Sequence, residues 1–105
     1  MGRFVYEGSD RLVVDDRTLA HLQVVIGDKL RRRESFLMTW NDTLETGGGR
    51  TSVWVHPRAS LVFSFERRAT RGLNPRWLEE LSDAAHSPAG LRLVPEPQAE
   101  LHPAP

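Results

Sequence analysis

The sequence predicts an α+β domain: one antiparallel sheet carrying two helices, in the order β-β-α-β-β-β-α-β. Three observations carry that reading. Apolar residues alternate with a period of two at Phe36, Met38 and Trp40, at Val53 and Val55, and at Leu61, Phe63 and Phe65. The period lengthens to that of a helix at Leu19, Leu22, Ile26 and Leu30. Asn74 followed by Pro75 is a cap and a first helical residue in the right order. A doubly wound parallel sheet requires strict alternation of strand and helix, which this order lacks.

The elements follow in turn. Residues 3–7 and 11–14 are rich in β-formers and are separated by Gly8-Ser9-Asp10, which predicts an opening hairpin. Asp15 or Asp16 can then cap the first helix by accepting backbone N–H groups. Gly27 inside that helix costs about 1 kcal/mol against alanine and so predicts a close backbone contact. Arg31, Arg32 and Arg33 close the helix, where positive charge offsets its dipole. The strand at Phe36–Trp40 leads into a loop, Asn41 to Arg50, with three successive glycines. A further strand ends at His56-Pro57-Arg58-Ala59, a link short enough to turn the chain straight back into Leu61–Phe65. After a basic connection, the second helix buries Trp77, Leu78, Leu81, Ala84 and Ala85, and a short strand at Leu91 to Val94 closes the fold. One domain over residues 1–97 results, followed by a disordered Pro- and Ala-rich tail over 98–105.

Composition excludes more than it selects. Lys and Arg together number 14 and so do Asp and Glu, so no net field draws the whole molecule to nucleic acid or membrane. Charge is segregated all the same: residues 28–76 are net basic and 77–105 net acidic. The absence of cysteine excludes disulfides, thiolate metal sites and thiol nucleophiles, and favours a cytoplasmic setting. No long apolar run suggests a leader or a membrane span, so a soluble protein is expected.

Several stretches read together have a familiar wording. Gly2-Arg3-Phe4-Val5-Tyr6-Glu7-Gly8, Leu19-Ala20-His21-Leu22-Gln23-Val24-Val25-Ile26, Lys29-Leu30-Arg31-Arg32-Arg33-Glu34-Ser35-Phe36, Trp54-Val55-His56-Pro57 and Ser87-Pro88-Ala89-Gly90-Leu91 resemble a family of small actinobacterial proteins of about this length. The likeness runs from Met1 to about Pro97. Members of that uncharacterised family are often labelled ATP-dependent DNA ligases. Such ligases carry adenylate on the lysine of a Lys-x-Asp-Gly motif. Here the single lysine, Lys29, is followed by Leu30, Arg31 and Arg32, and the motif is absent, so adenylation chemistry is not expected of this chain.

Two surfaces remain as candidates for binding. Arg31, Arg32, Arg33, Arg67, Arg68, Arg71 and Arg76 could form a nucleic-acid or anion site if the fold gathers them, because guanidinium forks pair with phosphate and the helix start at Asn74 offers free N–H groups. The same arginines also serve to end a helix and solvate a loop. Trp54 alternates out of phase with Val53 and Val55, which places it on the opposite sheet face with Val62 and Val13, where it could cover a partner. His56 and Arg58 at the neighbouring link complete that surface.

No catalytic set is legible. Ser35, His56 and Asp42 make a triad only if proximity is assumed. Gly47-Gly48-Gly49-Arg50 joins two strands and lacks the lysine of a phosphate loop. His21, His56, His86 and His102 show no metal-ligand spacing, and no metal or other cofactor is expected. The expectation is a small non-catalytic binding domain that docks a protein partner or a second copy of itself. The alternative is an accessory DNA-binding protein without adenylation chemistry of its own.

Overall fold

A computed structural model describes residues 1–42, 47–67 and 72–98. Its elements are β1 (Gly2–Tyr6), β2 (Asp10–Val14), α1 (Asp16–Arg31), β3 (Phe36–Asn41), β4 (Arg50–Val55), β5 (Leu61–Ser64) and α2 (Pro75–His86). The class is α+β, with the strands and helices in the expected order. The single sheet expected is in fact two antiparallel sheets, ordered β2-β1-β5 and β3-β4.

The division falls at the His56–Ser60 link. There β5 leaves its sequence neighbour β4 and pairs with β1, setting Phe4 opposite Phe63 and Tyr6 opposite Leu61. Pro57 has no N–H with which to extend a ladder across the link. The end of the link is tied to the first hairpin instead: Glu7 N–H donates to the Ser60 carbonyl at 2.8 Å, and Ser60 N–H donates to the Glu7 carboxylate at 3.1 Å. The hydroxyl of Tyr6 reaches back across the division and donates to the Trp54 carbonyl at 2.6 Å.

The opening hairpin turns through Glu7 and Gly8, both at positive φ (51° and 74°), the backbone handedness that matches the twist of paired strands. Asp15 is the cap of α1 and accepts the Thr18 N–H at 2.7 Å. Asp16 has a different task. Its carboxylate receives the N–H groups of Glu66 at 3.2 Å and Arg67 at 2.7 Å, which fastens the segment after β5 to the start of α1.

The core lies between the sheets and the helices. Phe4, Leu19, Leu22, Ile26, Met38, Val55, Leu81 and Leu91 are fully buried. Phe4 meets Trp40 edge-on at 6.1 Å and Phe63 at 5.2 Å, so β1 carries the ring that joins the two sheets. The buried Trp40 indole N–H has no hydrogen-bond partner among the described residues. Helix α1 packs on β1 and α2 on β3. The helices lie side by side with the same sense: His21 meets Asn74 at one end, and Lys29 shares a cleft with Ala85 at the other.

Two expectations about the backbone are corrected. Gly27 marks no close contact, since the nearest atom to a Cβ built there is an Arg31 nitrogen at 3.9 Å. The glycines that the packing requires are Gly2 and Gly90. A Cβ on Gly2 would meet Asp16 Oδ1 at 2.7 Å and Ser64 O at 2.9 Å, and one on Gly90, at φ 85°, would strike the Leu37 carbonyl oxygen. The closing strand at Leu91–Val94 contracts to one parallel bridge, between Met38 and Leu91. Beyond Leu91 the chain is drawn off the sheet edge: Trp77 Nε1 donates to the Val94 carbonyl at 2.7 Å, and Glu96 binds Arg17.

Candidate interaction surface

Sheet alternation decides which side chains face away from the helices. On the three-stranded sheet the cross-strand pairs Arg3 with Val13, Arg3 with Ser64, Val5 with Arg11 and Val5 with Val62 all share the face opposite Phe4. Val13 is 56% exposed and Val62 49%. On the two-stranded sheet Trp54 stands opposite Leu37 and is 58% exposed, while its neighbours Val53 and Val55 are buried. The predicted outward position of Trp54 therefore holds. Trp54 and Val62 occupy the outer faces of different sheets, joined through the link that carries His56 and Arg58. Arg58 N–H donates to His56 Nδ1 at 3.3 Å, so this imidazole shapes the turn.

Beside Trp54 the surface dips into a cleft of about 200 Å³, whose other walls include Leu37, Ser35, His86 and Pro88. Lys29 is buried at its side, with Nζ 3.2 Å from the half-exposed Glu34 carboxylate. Lys29 thus holds its aliphatic stem against the core and ends in an ion pair, the usual way a lysine is accommodated inside a small domain.

The predicted arginine set is divided. Arg31, Arg32 and Arg33 lie at the C-terminal end of α1, with Arg32 3.4 Å from Asp28. Arg67 is held at the other end of that helix by Asp16, and Arg76 follows Asn74 close to the same end, 3.4 Å from Glu80. Sixteen residues of α1 separate the two groups, about 24 Å at 1.5 Å per residue. Arg68 and Arg71 lie outside the described residues, as do residues 99–105 of the expected tail.

The N–H groups at the start of α2 are already committed. Asn74 Oδ1 accepts from Arg76 N–H at 3.1 Å and Trp77 N–H at 3.3 Å. Its Nδ2 donates to the Glu96 carboxylate at 3.0 Å, and Arg17 grips that carboxylate with two nitrogens at 2.8 and 2.7 Å. The Arg17 hydrogen bonds, reinforced by Asn74, hold the Glu96 carboxyl down at about 2, and the same pairing raises Arg17. At Asp16, burial pushes the carboxyl upward, but the N–H groups of Glu66 and Arg67 and the nearby positive charges outweigh it and hold it below the ordinary value.

Beneath this clasp sits His21, fully buried. Nδ1 donates to the Arg17 carbonyl at 2.8 Å and Nε2 accepts the Asn74 N–H at 2.8 Å, so both ring nitrogens are satisfied in one neutral tautomer. The ring lies 4.3 Å from that of Trp77. Sequence reasoning missed Arg17, His21 and Glu96 as a unit. The signal was limited to a histidine among the apolar residues of a helix, and nothing in spacing joins it to positions 74 and 96.

Among the described residues no group of three or more His, Asp or Glu is placed to hold a metal ion, and no helix is long and apolar enough to cross a membrane. No curated protein and no solved structure matches the chain. A family model does match, over residues 1–96, and by that match the chain belongs to the family described as Domain of unknown function (DUF7882).

Proposed function

We propose that this domain works by adhesion, as a protein-interaction or self-association module that uses the outer face of its sheets. The observation that carries this reading is the exposure of Trp54, Val13 and Val62 on the sheet faces opposite their buried strand neighbours. Large apolar side chains left in water on the outer faces of sheets are characteristic of a docking surface. A tryptophan at the lip of a cleft is the residue type that anchors such contacts.

The alternative reading, an accessory DNA-binding protein, has less support. Its described arginines divide between two ends of a helix, and Arg32 and Arg76 each have a carboxylate within 3.4 Å. Light scattering across a concentration series, beside a duplex DNA titration at two salt concentrations, separates the readings. Mass that rises with concentration and falls on Trp54→Ser or Val13→Lys supports adhesion. A constant monomer mass together with DNA binding that weakens steeply with salt overturns it in favour of nucleic acid.

A further inference from the structure

We infer that β2 is a self-complementary edge, and that two copies of this chain join by pairing β2 with β2 antiparallel about a twofold axis through Val13. This rests on the self-association reading and names its partner as a second copy.

The ladder pattern shows which backbone groups are free. Glu7 N–H bonds to Ser60 O, so Glu7 faces the β5 side of β1. By the two-residue alternation of an antiparallel pair, Val5 and Arg3 face that side too, and Gly2, Phe4 and Tyr6 face β2. Their partners Asp10, Leu12 and Val14 therefore spend their hydrogen bonds inward, on β1. Arg11 and Val13 turn their N–H and C=O groups outward, and β2 is the outermost strand of its sheet. Asp15 continues the extended backbone at φ −66°, ψ 157°.

Charge selects the register. Centred on Val13, the pairing sets Val13 against Val13 of the second copy, Arg11 against Asp15 of the second copy on the exposed face, and Leu12 against Val14 of the second copy on the buried face. Both ion pairs and the β-branched pair are favourable cross-strand combinations. Centring on Arg11 would set guanidinium against guanidinium, and centring on Leu12 would leave Arg11 opposite an apolar residue. Thr18 N–H occupies one oxygen of the Asp15 carboxylate, and the other is left for the guanidinium. About four backbone hydrogen bonds close the seam. The product is a continuous sheet in the order β5-β1-β2-β2-β1-β5, with Val5, Val13 and Val62 aligned along its outer face.

Val13→Cys tests this directly, because the chain has no cysteine of its own. Hydrogen-bonded antiparallel partners sit about 5.5 Å apart at Cα, within disulfide range. Mild oxidation is expected to give a covalent dimer from Val13→Cys and little from Val62→Cys, which lies two strands away. Val13→Pro removes an outward N–H and leaves the β1–β2 ladder intact, and is expected to weaken association on the order of 100-fold at unchanged circular dichroism. Val13→Lys serves the same purpose should the proline variant not fold. A wild-type dimer that is indifferent to these changes and gives no cross-link overturns the β2 edge while leaving self-association standing. A wild-type monomer at every concentration overturns both.

Discussion

The polar clasp at the N-terminal end of α1 and the outer face of the sheets use their side chains in opposite ways. At the clasp, His21, Asn74, Arg17 and Glu96 satisfy one another almost completely, so their chemistry is consumed in holding the closing segment to the two helices. On the outer face, Trp54, Val13 and Val62 are held in position and left without cover. Titratable groups close together are the usual sign of a reactive site, but here each has a structural partner.

The largest effect that should separate these regions is on His21. His21→Ala empties a fully buried site and strands the Asn74 N–H and the Arg17 carbonyl, so a loss of about 3 kcal/mol is expected in urea unfolding. An unchanged midpoint would mean that the clasp is not a structural unit. Gly90→Ala comes next, with a loss of about 2 kcal/mol, because it combines a positive φ with a collision against the Leu37 backbone. The same substitution at Gly27, where space is open, should be neutral or stabilising by a few tenths of a kcal/mol.

Glu96 gives a pH signature. Its folded value near 2 lies below the ordinary 4.5, so the clasp contributes in full above 4.5 and its contribution is lost as pH falls toward 2. Glu96→Gln should flatten the acid limb of a stability-against-pH curve in that window; an identical limb in both proteins would assign the acid sensitivity to another carboxylate, Asp16 being the first alternative. The smallest effect on stability belongs to Trp54→Ser, within about 0.5 kcal/mol because the indole is mostly solvated. A large loss of stability there would place Trp54 with the core and remove the contrast between the two regions.

Much of the fold was legible because its cause is local. Phe36, Met38 and Trp40, then Val53 and Val55, are buried as their alternation requires, and Trp54 between the valines is turned out. Asn74 and Pro75 begin α2 as a cap and first residue must. The outward positions of Trp54 and Val62 were legible for the same reason, since strand parity alone sets them. What was not legible depends on contacts between distant positions. Arg17 and Glu96 are 79 residues apart and His21 and Asn74 are 53 apart, and no spacing rule joins them.

By itself, the sequence determined the α+β class, the strand parity, the helix starts and the absence of cysteine chemistry, because each depends on neighbours within a few residues. Only the tertiary structure decided that the sheet divides at the His56–Ser60 link, that Arg31 to Arg33 lie at one end of α1 with Arg67 and Arg76 at the other, and that Glu96 crosses over to Arg17. Those outcomes depend on which apolar faces meet. When Phe4 packs between Phe63 and Trp40, the chain ends and charges are carried to wherever that packing leaves them.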